Sequence, residues 1–190
     1  MKKATLITTP LLISVAGVAC AQDANIHPFS LRGGFSYLSN KDSRDATNNS
    51  GWTIGGSYDL SGKYMAGMGG NNAKVSIDVD FDSHRGNGNT IESGALQIAI
   101  RSSMTSGMGK GMGAPYFGAS IGAFRNHISA STTVSSVVTS NSDTKTSLGG
   151  SVLVGFNFAQ NAFLEVSYRF SGSVDGVRCD TINAAIGIHF

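Results

Sequence analysis

Apolar residues return at every second position through most of this chain, and that period of two limits the fold more than any other feature. In Thr181–Phe190 the apolar positions are Ile182, Ala184, Ile186, Ile188 and Phe190, with small or polar residues between most of them. Such a repeat lays one greasy face along a β-strand. A terminal strand in water would fray and expose Phe190. A strand against lipid instead sets its last aromatic ring at the membrane interface.

Seven earlier segments repeat the pattern. They start at Phe29, Trp52, Ala73, Ser93, Pro115, Leu148 and Phe163 and end near Tyr37, Leu60, Asp82, Arg101, Phe124, Phe158 and Phe170. Between them lie polar or Gly-rich stretches: Ser39–Gly51, Ser61–Asn72, Ser83–Asn89, Ser102–Ala114, Asn126–Thr146, a short turn at Ala159–Ala162, and Ser171–Asp180. Asn126–Thr146, dominated by Ser and Thr, is expected to be the longest loop. The second and fourth stretches, rich in Gly and Met, are longer than the inner turns usual for a barrel. Helical periodicity of comparable strength is missing from the chain.

A soluble β-sandwich would alternate too, so the composition of the two faces decides. The apolar face holds no charged residue, whereas the opposite face holds Arg32, Asp59, Lys74, Asp78, Asp80, Asp82, Arg101, Glu165 and Arg169. A lipid-facing Arg or Lys near the bilayer midplane costs about 2–4 kcal/mol, so an apolar face free of charge suits hydrocarbon. With odd strands running outward, Phe35, Tyr37, Trp52, Phe81, Tyr168 and Phe170 share one rim. Tyr58, Phe117, Phe156, Phe158 and Phe190 share the other, giving two aromatic girdles. Small polar residues on the charged face suit the narrow interior of eight strands. The expected fold is all-β: an eight-stranded antiparallel transmembrane β-barrel. The nine charged residues are expected to form a paired network inside it, since a charge buried alone is costly.

The first 21 residues are set apart as a cleavable signal peptide. Lys2 and Lys3 precede a mostly apolar run from Leu6 to Val18, and Ala19-Cys20-Ala21 supplies a small-x-small site for cleavage between Ala21 and Gln22. A lipoprotein signal acylated at Cys20 would want Leu three residues earlier, where Gly17 stands. Residues 22–190 then form one barrel domain. Without Lys2 and Lys3 the formal charge falls from +2 to 0, and no basic patch of the kind nucleic-acid binders need is present. Cys179 becomes the only cysteine, so an internal disulfide is excluded. No run of 18 apolar residues is available for a membrane-spanning helix.

Pro115-Tyr116-Phe117-Gly118-Ala119, Leu148–Phe158, Glu165-Val166-Ser167-Tyr168-Arg169-Phe170 and the terminal Phe190 together resemble the opacity-type small outer-membrane β-barrels. The resemblance implies a bacterial outer-membrane location, contact with outer-membrane lipid, and Phe190 as an assembly signal read by the outer-membrane insertion machinery. It also implies a surface role, as adhesin or antigen, with host or cell-surface ligands met through the outer loops. A narrow porin or small-solute carrier is the alternative, and a lipid A-modifying acyl hydrolase is a second.

Few residues invite chemistry. His127-Ile128-Ser129 matches the His-x-Ser pair of lipid A deacylases, but a serine nucleophile needs an acid to orient its base. Asp143 is the nearest acid, in a stretch expected to be a loop, so His127 reads as a rim residue. Asp78, Asp80 and Asp82 share a face and could hold a metal, yet the arginines beside them favour pairing. His189 reads as structural. Met65, Met68, Met104, Met108 and Met112 read as filler in flexible connections rather than as thioether ligands. No catalytic residue, cofactor or metal is expected, and the oligomeric state is left open.

Overall fold

The computed structural model describes residues 28–60, 73–103, 114–134, 137–159 and 161–190. The signal segment with Ala21 and Gln22, and the five methionines of the Gly-rich connections, lie outside them. The described chain runs β1 (Phe29–Leu38), α1 (Lys41–Ala46), β2 (Ser50–Asp59), β3 (Ala73–Gly86), β4 (Asn89–Ser103), β5 (Ala114–Val134), β6 (Val137–Asn157), β7 (Ala162–Phe170), β8 (Ser173–Val174), β9 (Val177–Arg178) and β10 (Thr181–His189). Eight of these strands form a closed antiparallel barrel in the order β1-β10-β7-β6-β5-β4-β3-β2, and β8–β9 is a separate two-stranded ribbon.

The seam is closed by β1 and β10, paired from Ser30↔His189 to Leu38↔Thr181. Beyond it, the Phe29 and Phe190 backbones exchange hydrogen bonds of 3.2 and 2.9 Å. The predicted face assignment holds. Phe35 is 77% exposed and Leu148 83%, whereas Asp78 is 2% exposed and Asp80 3%. Greasy residues face out and charges face in, the inverse of a soluble core and the arrangement a lipid wall demands. The aromatic girdles are in place: Trp52–Phe81 and Tyr168–Phe170 at the outer rim, with centroids 5.4 and 4.6 Å apart, and Phe29–Tyr58 and Phe29–Phe190 at the inner, at 4.9 and 6.2 Å.

The outer end differs from expectation in three places. The Ser83–Asn89 turn is shorter than expected: β3 and β4 continue to a two-residue Asn87-Gly88 turn, with φ of 52° and 78°. Asn-Gly is a strong hairpin signal, because both positions need positive φ. Asn126–Thr146 is not a loop. Arg125↔Thr146 through Val134↔Val137 continue the β5–β6 ladder, so each strand is 21 residues long. Only about 9–11 tilted residues are needed to span a bilayer, and this hairpin therefore stands well above it. Lastly, Ser39–Gly51 contains the one-and-a-half-turn helix α1, and Ser171–Asp180 contains β8–β9 around an Asp175-Gly176 turn, with φ of 48° and 81°. Helix α1 starts at Asn40, whose side chain accepts from the Asp42 amide at 2.8 Å.

Small residues inside make room for large ones. A Cβ on Gly55 would overlap Asp80 Oδ1 and lie 3.1 Å from Arg32 Nε. Similarly, a Cβ on Gly155 would enter the Tyr116 ring and one on Gly187 the Phe163 ring. Gly94 faces outward and its Cβ would meet nothing within 4 Å. Gly55→Val should therefore lower unfolding free energy by about 3 kcal/mol, the upper range for overpacking, and Gly94→Ala should leave it unchanged. Urea titration in lipid vesicles, read by the shift of the folded band on unboiled gels, distinguishes the two.

Candidate functional site

Seven of the nine charged residues expected inside the barrel converge from β1, β3, β4 and β7. Arg32 reaches Asp80 at 2.7 Å, Asp78 at 3.1 Å and Glu165 at 3.7 Å. Arg101 reaches Asp78 at 2.6 Å and Glu165 at 3.2 Å, while Arg169 reaches Asp82 at 2.7 Å and Asp80 at 3.0 Å. Every acid in the cluster thus meets at least one arginine, and Asp78, Asp80 and Glu165 each bridge two. Alternation on β3 is what delivers Asp78, Asp80 and Asp82 to one face. The other two expected members stand apart: Asp59 and Lys74 pair with each other at 3.4 Å at the inner rim, where Lys74 is 68% exposed.

Neutral groups complete the cluster, and charge counting alone passed over them. Gln97 donates to Asp80 at 3.1 Å, Tyr116 donates to Glu165 at 3.2 Å, and Arg101 donates to Ser76 at 2.8 Å. Ser120 bridges Gln97 and Ser151. All of them sit at inward positions of the alternation, the one sequence signal they carry.

Above and below, apolar clusters pack beside further buried polar residues such as Ser36, His84, Asn126 and Asn183. Tyr116, Leu153 and Phe163 pack together toward the inner end, and Phe163 stacks on His189 at 4.6 Å. Toward the outer end, Leu38, Ile91, Val174 and Cys179 form a buried cluster, roofed by α1 and β8–β9, with Ser43 donating to the Arg178 carbonyl. Cys179 is 1% exposed, and burial pushes its thiol up to about 11.

The pair His127 and Ser129 lies on the β5–β6 extension rather than in a cleft. His127 Nδ1 is 2.8 Å from Thr144 Oγ1, and Asp143 accepts from the Thr144 amide at 2.8 Å. Among the described residues no carboxylate is within hydrogen-bonding distance of the imidazole. Directly across the ladder from His127 is Glu92, whose carboxylate is 3.2 Å from Arg85. No group of three or more His, Cys, Asp or Glu with metal-binding geometry occurs among the described residues.

The model of the outer membrane protein beta-barrel domain matches residues 8–190. The chain belongs to that family. Its place is the bacterial outer membrane, as the lipid-facing wall requires. Among solved structures, the chain is similar to Ail, the attachment invasion locus protein of Yersinia pestis, at 17% identity with a TM-score of 0.54, covering 85% of this chain and 97% of Ail. It is equally similar to Ail in complex with the heparin analogue sucrose octasulfate, at 17% identity, TM-score 0.56 and the same coverage. Neisserial surface protein A matches at 15% identity with a TM-score of 0.49, covering 86% of this chain and 97% of that one. No curated protein sequence matches the chain.

Two outcomes follow from this geometry. Arg32→Met leaves the buried cluster with four acids against two arginines and should cost about 3–5 kcal/mol of unfolding free energy, measured by urea titration in vesicles. Cys179 in the folded cap should resist maleimide at pH 7.5 and react within the mixing time once unfolded. Because its folded value lies above the ordinary thiol value of 9.0, the cap's contribution to stability is present below pH 9 and lost as pH rises toward 11. Labelling should accelerate across that window.

Proposed function

We propose that this barrel is a surface interaction protein of the adhesin or surface-antigen type, exported with loss of residues 1–21, and that the β5–β6 ribbon is its main contact element. One observation carries the reading: β6 runs from Val137, yet β7 pairs with it only from Gly150 to Asn157. The backbone edge of residues 137–146 therefore rises above the membrane with no β7 partner. An exposed strand edge is a template for another chain, and proteins normally cover such edges or guard them with charge. Here Asp143 and Lys145 are the guards, and Ser140, Asn141, Ser142 and Thr144 are exposed between them. Main-chain pairing to such an edge is a general mode of peptide recognition.

The porin and carrier reading is weakened by the interior, which is filled in three layers: the Tyr116–Leu153–Phe163 cluster, the seven-residue ionic cluster, and the Leu38–Ile91–Val174–Cys179 cluster under the cap. The acyl-hydrolase reading lacks an assembled Ser-His-acid arrangement at His127. In the proposed role the chain is not an enzyme. Ail, which shares the fold, has been crystallised with a heparin analogue, so a sulfated glycan belongs beside host-matrix proteins among the ligands to test.

Replacing residues 131–140 with Asn-Gly would join Ala130 to Asn141, which already face each other in the ladder, through a turn that suits the strand twist. Bacteria expressing this shortened barrel should lose adherence to cultured cells and matrix-coated surfaces, with the unboiled-gel shift of the folded protein intact. Unchanged adherence would count against the ribbon as the contact element. Planar bilayers carrying the full barrel should show no steady single-channel steps.

A further inference from the structure

Beneath the outer cap, one tier of inward side chains runs across five strands. Asn183 on β10 pairs with Ser36 on β1, Ser36 with Gly51 on β2, and His84 on β3 with Ile91 on β4. Gly51 and His84 join the two halves of the tier. A Cβ on Gly51 would lie 2.7 Å from His84 Nδ1, so the missing side chain lets the imidazole cross β2. Its Nε2 is 3.0 Å from Ser36 Oγ. On β3 the last apolar outward residue is Phe81, paired with Gly94. His84 stands three residues further out, beyond the hydrocarbon band, and is 1% exposed.

The partners of Ser36 fix the tautomer of His84. With its amide oxygen toward Arg169, Asn183 accepts from Nε at 3.1 Å and Nη1 at 3.2 Å, and its nitrogen donates to Ser36 Oγ at 2.6 Å. A hydroxyl has one hydrogen, and among the described residues the acceptor that Ser36 meets is His84 Nε2. Nε2 is therefore the lone-pair nitrogen, and Nδ1 carries the proton. That N–H is buried without a partner, as is Asp82 Oδ1, while Asp82 Oδ2 accepts from Arg169 Nη1 at 2.7 Å. Asp82, Arg169, Asn183, Ser36 and His84 thus form one hydrogen-bonded chain from the ionic cluster to the cap, left open between Asp82 Oδ1 and His84 Nδ1.

A second proton on the imidazole goes to Nε2 and turns that acceptor into a donor, so Ser36 loses the atom it donates to. The new charge also stands under an apolar lid. Ile91, across the ladder, and Leu38, two residues beyond Ser36, belong to the buried cluster with Val174 and Cys179. The inward neighbours from β1, β2, β4 and β10 (Ser36, Gly51, Ile91 and Asn183) are uncharged. The charged groups are Asp82 on the same strand and Arg169 on β7; in the cap the buried charge is Asp180, held by the Ser171 amide at 3.0 Å and near Arg178 at 4.0 Å. Burial pushes the imidazole below its ordinary value of 6.5, against the pull of Asp82. We infer that His84 is an acid-sensitive latch on the outer cap: neutral, it ties β3 to β1 beneath the Leu38–Cys179 cluster, and protonated, it releases Ser36 and the cap opens. The unfolded chain takes up this proton more readily than the folded one, so the latch's contribution to stability is complete above pH 6.5 and lost as pH falls below it. It is independent of the proposed adhesin role, because no residue of the ribbon's free edge takes part.

Cys179, the one cysteine of residues 22–190, reports on the cap. The barrel purified from outer membranes is treated in vesicles with a dipyridyl disulfide, which reacts with thiols in acid, and its rate is compared with that of the urea-unfolded chain at the same pH. Wild-type protection should fall about ten-fold between pH 7.5 and pH 5.0, with the unboiled-gel shift of the folded barrel intact at both. His84→Gln, whose amide oxygen accepts from Ser36 and does not titrate, should keep its protection across that window. Constant protection in the wild type would overturn the latch. An equal fall in His84→Gln would assign the proton to another group and overturn it too. Should His84→Gln fail the unboiled-gel test of folding, Ser36→Ala carries the test: its protection at pH 7.5 should already be near the wild-type value at pH 5.0, and protection matching wild type at both pH values would sink the proposal.

Discussion

Hydrocarbon offers no hydrogen bonds, so every backbone N–H and C=O at membrane depth must find its partner within the chain. For a strand protein the only solution is a sheet with no edges. The β1–β10 seam is where that solution is completed: nine residue pairs from Ser30↔His189 to Leu38↔Thr181 join the first strand to the last. Closure of eight strands then fixes a narrow interior, and the interior in turn selects what can fill it. Glycine at positions 55, 155 and 187 leaves space for the Arg32–Asp80 pair, Tyr116 and Phe163, so small and large residues are matched across the lumen.

The ionic cluster is the second consequence of closure. Lipid claims the apolar residues, and the alternate positions are left for polar ones that are buried nonetheless. Burying seven charges is tolerable only when each has partners, and here β1, β3, β4 and β7 each contribute to one cluster. Such a cluster links strands distant in the chain, for example Arg101 to Glu165 and Arg169 to Asp82. It therefore ties opposite walls together in a way backbone ladders between neighbours cannot.

At the outer end, uneven strand length organises the surface. β1, β2, β7 and β10 have 9 or 10 residues, close to what a bilayer needs, while β5 and β6 have 21. The short side is roofed by α1 and β8–β9 over the buried Cys179 cluster. The tall side carries an edge of β6 above the membrane that β7 does not pair.

The alternation was readable because burial on one side and lipid on the other impose opposite demands at adjacent residues. By itself the sequence thus determined the number of barrel strands, the facing of each membrane segment and the aromatic girdles. The Asn87-Gly88 and Asp175-Gly176 turns were also written in it, as dipeptides that accept positive φ, though the flanking polar residues masked them as loop. The β5–β6 extension left no such mark: on β6 residues 140–146 are exposed at successive positions, so Ser, Thr and Asn stand on both faces and the period of two disappears. Which charges meet across the lumen was decided by the closed register, because Arg101 and Glu165, or Arg169 and Asp82, are neighbours only after the sheet has curled. The same register parted Asp59 and Lys74 from the cluster. Local sequence dictates what each residue faces; the stagger of a closed barrel dictates whom it meets.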